Sequence, residues 1–111
     1  MCTQIVLDRP KYDDFTGELT RIMAVVVRRE LAEAGLPQSQ VRDLTKKIVF
    51  NLATMFDGNW VLDHDDKTLE PKVLFRYDGD DERLIWAEGG SNMHEVMFGY
   101  VKKVFDDDTA A

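Results

Sequence analysis

The hydrophobic positions in the first third of the chain follow a helical period. Apolar residues recur at spacings of three and four, which places them on one face of a helix. Those residues are Leu19, Ile22, Met23, Val26 and Val27. Gly35 suits the position just after a helix end, and Pro37 cannot continue the helix that precedes it. With Thr16 as a cap residue, the pattern predicts a first helix over residues 16–34.

The same period continues in a second stretch and then stops. Its apolar stripe consists of Val41, Leu44, Ile48, Leu52, Met55 and Phe56. An Asp-Gly turn pair follows at 57–58, so a second helix is predicted over residues 38–56. Val49 and Phe50 fall outside the stripe, which predicts that this helix buries two sides. Because apolar residues resume at Trp60, the chain is expected to pass from the helix into a short strand and then a polar loop.

A third helical stripe lies near the end of the chain. It consists of Val96, Met97, Tyr100, Val101, Val104 and Phe105. Asn92, with Glu95 three residues later, resembles a capping box, so a third helix is predicted over residues 93–105. Three consecutive aspartates follow, and negative charge is unfavourable at a helix C-terminus. Residues 1–105 are therefore predicted to form one domain, and residues 106–111 a mobile acidic tail.

Alternating apolar and polar positions replace the helical period between the second and third helices. The alternation runs through residues 72–77, and turn residues at 78–81 precede a further apolar run. This pattern predicts a β-hairpin that pairs residues 72–77 with residues 83–88. Residues 4–7 are compatible with a short edge strand or with a loosely attached N-terminal segment. The chain is predicted to be an α+β protein, with two N-terminal helices, a small antiparallel sheet containing the hairpin, and a C-terminal helix.

Composition excludes some functional classes without identifying one. The chain has 111 residues and a formal net charge of −7, and its lysines and arginines are spread thinly. Nucleic-acid binding usually needs a basic patch, so no nucleic-acid partner is expected. Cys2 is the only cysteine, which excludes an intrachain disulfide. The chain shows neither a secretory signal nor an apolar run approaching the roughly 20 residues of a bilayer span, so a cytoplasmic protein without a membrane partner is expected.

Candidate chemistry is confined to the histidines and their acidic neighbours. Residues 63–66 read Asp-His-Asp-Asp, and imidazole and carboxylate groups suit several divalent metals. Neighbouring side chains of an extended segment point to opposite faces, and the spacing of a calcium-binding EF-hand is absent. A solvated loop is therefore favoured over a metal site. The weak metal candidates are His64, Asp63, Asp65, Asp66 and His94. No known catalytic or cofactor-binding spacing is present, so no cofactor is expected and an enzyme is the less favoured interpretation.

The chain has more aromatic side chains than can be assigned to one small core. Phe50 and Phe98 lie off the main apolar faces of their predicted helices, and protein interfaces favour aromatic residues. The interaction candidates are Phe50, Trp60, Trp86, Phe98 and Tyr100. We therefore predict a non-catalytic protein-interaction protein, either an adaptor, a chaperone-like protein or a neutralising partner, that forms a homodimer.

Two other functions stay open at this point. One is a small enzyme or metal-binding domain that uses His64 and the neighbouring aspartates. The other is a ligand-sensing domain with an aromatic pocket between the sheet and the helices. Such a pocket would be lined by Trp60, Trp86 and Tyr100.

Overall fold

Helices and strands account for most of residues 3–109, which are the residues described by the computed structural model. In chain order they are β1 (Gln4–Leu7), α1 (Arg9–Glu33), α2 (Gln38–Phe56), β2 (Leu62–His64), β3 (Lys67–Leu69), β4 (Arg83–Trp86) and α3 (Met93–Thr109). The predicted α+β class, with two helices in the N-terminal half and one at the C-terminal end, is confirmed. Within this part of the chain, no helix combines the length and the apolar character that a bilayer span requires.

Helix α1 begins at Arg9 rather than at residue 16. The carboxylate of Asp8 accepts a hydrogen bond from the backbone N–H of Lys11 (3.1 Å) and so caps the helix. Pro10 lies in the first turn, where a helix needs no backbone N–H donor. Pro10 therefore helps to start α1, whereas the sequence alone suggests a residue that interrupts an N-terminal strand.

Small residues, rather than the large apolar ones, line much of the buried side of α1. The buried residues are Tyr12, Thr16, Gly17, Thr20 and Ala24. The hydroxyl of Thr20 donates to the carbonyl oxygen of Thr16 (2.7 Å), so this buried polar group is satisfied. Ile22 and Val26, which the periodicity places on the core face, are exposed. Small side chains let α1 approach α2 and α3 closely, and this close approach decides which side is buried.

Helix α2 has the bounds that the sequence predicts. Its most buried line consists of Val41, Thr45, Val49 and Ala53. Val49, which lies outside the predicted stripe, is fully buried, while Phe50 stays at the surface. The other stripe residues are half-buried, so the helix buries the side of Val49 next to the predicted stripe but not the side of Phe50.

Helix α3 supplies the centre of the core and continues beyond residue 105. Its fully buried residues are Met93, Met97 and Val101. The helix runs to Thr109, and Lys102 forms an ion pair with Asp106 one turn later (2.7 Å). The first part of the predicted tail is therefore helical. The mobility of residues 106–111 stays a prediction, and the last two of them lie outside the described residues.

The longest strand pairing is parallel. β1 pairs with β4, with Gln4 opposite Arg83 and Leu7 opposite Trp86. The segment 72–77 meets β4 at a single antiparallel bridge between Phe75 and Ile85, whose two backbone hydrogen bonds measure 3.1 and 2.7 Å. The predicted pairing of 72–77 with 83–88 is thus reduced to one antiparallel contact.

Contacts with α1 explain why this pairing is so short. The ring of Phe75 lies edge-on to Tyr12 and Phe15, with centroids 5.7 and 5.5 Å away. The hydroxyl of Tyr12 donates to the carbonyl oxygen of Val73 (2.6 Å). That carbonyl is bonded to a helix side chain instead of to β4, so the ladder does not extend toward residue 72.

β2 and β3 form an antiparallel hairpin in a region that the sequence suggests is a short strand followed by a polar loop. Leu62 pairs with Leu69 at its open end. The two aspartates at 65–66 form the turn with positive φ angles of 51° and 62°, as a type I′ turn requires. Apart from each other, β2 and β3 have no Cα atom within 8 Å of another named element. Because the hairpin stands off from the helices, we call residues 59–70 the arm.

Replacing Asp66 by glycine is expected to stabilise the arm by about 1 kcal/mol. A side chain in the left-handed backbone region costs about 1–2 kcal/mol, and glycine removes that cost. Hydrogen exchange of the arm amides should slow about fivefold. The melting temperature of the whole protein should barely change, because the arm makes little contact with the helices.

The control for this prediction is Asp81→Gly. It removes the same charge at a loop position where φ is not positive, so it should leave exchange in the arm unchanged. If both variants slowed exchange equally, the lost charge rather than the turn geometry would determine the stability of the arm.

Candidate functional site

The side chain of Asp57 joins the end of α2 to the start of α3. Asp57 directly follows α2, and its side chain is 2% exposed. The carboxylate accepts hydrogen bonds from the backbone N–H groups of Met93 (2.9 Å) and His94 (2.8 Å). Those N–H groups belong to the first turn of α3 and have no partner in their own helix. Asp57 therefore caps α3 from another helix.

Two side-chain donors complete the surroundings of this carboxylate. The hydroxyl of Ser91 donates to Oδ1 of Asp57 (2.5 Å), and Nδ1 of His94 lies 2.5 Å from Oδ2. Burial alone would raise the pKa of Asp57, but the hydrogen bonds from His94, Ser91 and Met93 outweigh it and hold the pKa below its ordinary value. The carboxylate is charged at neutral pH, so Nδ1 of His94 carries the proton in this contact.

The opposite side of the His94 ring faces the protein surface. Its Nε2 atom lies 4.0 Å from Oε1 of Glu95, and the ring is edge-on to Phe50 at a centroid distance of 6.4 Å. An imidazole oriented by a buried carboxylate can act as a general base through its outer nitrogen. Ser91, however, donates to Asp57 rather than to the imidazole. The serine is therefore not arranged as a nucleophile activated by His94.

Helix α1 also holds the loop that leads into α3. The guanidinium of Arg9 donates to the carbonyl oxygens of Gly90 (3.4 Å) and Glu88. Tyr12, on the same helix, donates its hydroxyl to the carbonyl oxygen of Val73 (2.6 Å), and burial raises the pKa of that hydroxyl. Arg9 of α1 and Asp57 at the end of α2 therefore both bond to the segment that leads into α3.

The sequence identified the start of α3 but not the residue that caps it. Asn92 donates to Oε2 of Glu95 (2.8 Å), so the two residues of the predicted capping box do interact. The first backbone N–H groups of α3 nevertheless bond to Asp57. From the sequence alone, Asp57 is explained completely as the residue at which α2 ends. The signal that was available is weak: an aspartate at a helix end and a serine just before another helix.

The predicted metal candidates fall in two separate places. His64 lies in the arm, where its Nε2 is 3.2 Å from Oδ2 of Asp65 and both side chains are largely exposed. Asp63 accepts a hydrogen bond from Thr68 (3.4 Å). His94 instead belongs to the network around Asp57. Among residues 3–109, no group of three or more His, Cys, Asp or Glu side chains is placed to hold a metal ion.

The predicted interaction residues also separate into groups. Phe50 and Phe98 stack at the surface, with ring centroids 5.9 Å apart and an interplanar angle of 22°. We call this pair the aromatic patch. Trp60 is 52% exposed at the base of the arm, on a different segment. Both places leave large apolar side chains in contact with water.

Trp86 on β4 and Tyr100 on α3 are half-buried and are not part of these exposed surfaces. Trp86 is half-buried on β4, and its indole N–H is buried without a hydrogen-bond acceptor among the described residues. Tyr100 packs so closely on α1 that a Cβ at Gly17 would overlap its hydroxyl. These two aromatic residues therefore contribute to packing rather than to an open surface.

The structure has an apolar groove, but not the one that the sequence suggests. Trp60, Trp86 and Tyr100 do not line it. The groove lies between α1 and the segment around residue 75, and its volume is about 330 Å³. Its lining residues are Phe15, Glu18, Leu19, Ile22, Phe75, Arg76 and Tyr77. Ile22, which the helical period places in the core, is exposed and lines this groove.

Comparison of the chain with protein-family models, with curated proteins and with solved structures gave no match.

Proposed function

We propose that this protein is a small, acidic, cytoplasmic interaction protein that has no catalytic activity and works as a homodimer. The arm is the observation that carries this proposal. Its large apolar residues, which are all about half-exposed, are Trp60, Val61, Leu62 and Leu69. A cluster of exposed apolar side chains on a soluble protein marks an interaction site. A partner that covered the arm would also stabilise a hairpin that is otherwise small and unsupported.

The aromatic patch supports the same proposal at a second place. Phe98 is 51% exposed although it stacks on Phe50. Aromatic residues are enriched at interfaces because they bury a large area with few rotatable bonds. The net negative charge of the chain further favours basic proteins as additional partners of an adaptor, chaperone-like or neutralising protein.

The Asp57–His94 pair gives less support to an enzyme. All the hydrogen bonds to the carboxylate are used to hold Ser91 and the first turn of α3 in place. The pair therefore has a structural role that needs no substrate, and no activated serine lies against the imidazole.

The test is the mass of the tagged 111-residue chain in solution, with capture of proteins from its own host. We expect a mass about twice that of the 12.8 kDa chain, or one stoichiometric partner. The double variant Trp60→Ala, Phe98→Ala should lose that assembly. The matched control is Ile22→Ala, which removes an exposed apolar side chain outside both surfaces. A wild-type chain that stays monomeric and captures no protein would contradict the proposal.

A further inference from the structure

We propose that the homodimer forms by an exchange of arms, in which the arm of each copy docks on the aromatic patch of the other. This inference rests on the proposed function and names the two surfaces that meet. It follows from three properties of the described chain: the arm is acidic, the patch is basic, and both surfaces carry exposed apolar side chains.

The arm combines apolar side chains with an excess of negative charge. Its apolar residues are about half-exposed. Its carboxylates are Asp63, Asp65, Asp66 and Glu70, against one ammonium group, that of Lys67. Every residue of β2 and β3 is exposed, so the copy that carries these strands leaves their apolar and acidic side chains open to a partner. Glu70, just beyond β3, is paired with Lys72 of the same copy (3.5 Å).

The aromatic patch carries the opposite charge. On a helix, side chains three and four positions apart are neighbours. At those spacings from Phe50 and Phe98 lie the ammonium groups of Lys46, Lys47 and Lys102, and one carboxylate, that of Glu95. Lys102 is also paired with Asp106, and Asp43 lies three and four positions before Lys46 and Lys47, so the excess of positive charge is smaller than the number of lysines.

The lysines are gathered at one end of the patch. Helices α2 and α3 are antiparallel, because Asp57 at the end of α2 contacts the start of α3 while Arg42 lies over the ring of Phe105 (5.6 Å). Lys46 and Lys47 precede Phe50 by one turn, and Lys102 follows Phe98 by one turn. The three ammonium groups therefore lie toward the same end of the helix pair.

Charge complementarity favours a second copy as the occupant of the patch. Two copies of an acidic chain repel each other unless oppositely charged surfaces meet. The arm and the patch are such surfaces, and both are present in every chain. A two-fold axis then makes two identical contacts, arm to patch and patch to arm, and closes the assembly at two copies. Apolar side chains from both surfaces would be buried at the centre of each contact, with the charges around them.

Charge reversal separates this arrangement from other dimers. The arm variant is Asp63→Lys with Glu70→Lys, and the patch variant is Lys46→Glu with Lys47→Glu. Each variant alone places like charges opposite each other in both contacts, so its dimer should be at least tenfold weaker than that of the wild type. An equimolar mixture of the two variants restores opposite charges in both contacts. Light scattering should therefore find monomers for each variant alone and a heterodimer for the mixture.

The matched control for the arm variant is Asp14→Lys with Glu33→Lys, which makes the same change in net charge as that variant at exposed positions of α1. It should stay dimeric. Circular dichroism and the melting temperature verify that every variant folds. If a reversed variant fails to fold, Phe98→Ala and Trp60→Ala are measured instead, and each should weaken the dimer because one side of both contacts is lost.

The outcomes distinguish the exchange of arms from the proposed function. A dimer that persists in both reversed variants, or a mixture that stays monomeric, overturns the exchange but leaves a homodimer or another partner in place. A wild-type monomer that captures a different protein overturns the exchange and keeps an interaction protein. A wild-type monomer without any partner overturns both.

Discussion

Replacing Asp57 by alanine is expected to lower the free energy of unfolding by about 3 kcal/mol or more. The substitution leaves the N–H groups of Met93 and His94 and the hydroxyl of Ser91 without their acceptor. A buried donor that loses its acceptor costs about 1–3 kcal/mol, and loss of a helix cap alone costs about 1 kcal/mol. Urea unfolding followed by circular dichroism measures the change.

The control is Asp43→Ala, at an exposed position of α2. It removes the same kind of charge from the same helix and is expected to change the free energy of unfolding by no more than about 0.5 kcal/mol. If Asp57→Ala cost as little as Asp43→Ala, the carboxylate would not be what holds α3 against α2.

The contribution of Asp57 depends on pH in a defined direction. Its pKa in the folded protein is lowered, so the charged form stabilises the fold at every pH above the unfolded pKa of about 3.9. That contribution is lost as the pH falls through the lower, folded pKa. The difference in unfolding free energy between wild type and Asp57→Ala is therefore expected to be constant from pH 7 to about pH 5 and to shrink below about pH 4. A difference that grew on acidification would contradict the assignment of a charged cap.

Local patterns predicted the parts of the fold that depend on neighbouring residues. The bounds of α2 follow from its period and from the turn pair that ends it, and the start of α3 follows from Asn92 and Glu95. The start of α1 was missed because Pro10 has two interpretations, one as a strand breaker and one as a first-turn residue. Only the hydrogen bond from Lys11 to Asp8 decides between them.

The features that were missed depend on contacts between distant segments. Thr16, Thr20 and Ala24 face the core because small side chains allow close helix packing, which hydrophobic periodicity does not measure. The cap supplied by Asp57 joins it to Met93 and His94, which are far away in the sequence. No local motif therefore predicts this cap. The pairing of β1 with β4 is likewise long-range and parallel, and a sequence pattern rarely specifies such a partner.

The candidate surfaces were predicted in part. Phe50 and Phe98 became interaction candidates because they lie outside the helical stripes, and the structure adds that both rings are partly exposed and stack on each other. Trp86 and Tyr100 are aromatic residues like Phe50 and Phe98, but they are half-buried where helices and strands pack together. Aromatic content alone therefore could not separate surface from packing. The arm was missed as a unit because its turn residues, two aspartates, read equally well as a polar loop.

Replacing Tyr12 by alanine is expected to lower the free energy of unfolding by about 3–5 kcal/mol, as for other large buried aromatic residues. Tyr12 has no exposed surface and contacts the ring of Phe75, and its hydroxyl bonds to the carbonyl oxygen of Val73. Tyr12→Phe keeps the ring and removes only the hydroxyl, so it should cost about 1 kcal/mol, perceptibly less than the alanine variant. Chemical unfolding of the two variants under one set of conditions gives both values.

The same pair of substitutions at Tyr77 is the matched control. Tyr77 is 49% exposed and contacts Phe15 edge-on at 5.8 Å, so Tyr77→Ala should cost much less than Tyr12→Ala, and Tyr77→Phe almost nothing. A large loss at Tyr12 also shows that residues before position 16 pack into the core. Equal losses at the two tyrosines would instead mean that Tyr12 does not anchor the segment around Phe75 to α1. The bridge between Phe75 and Ile85 would then form without support from α1.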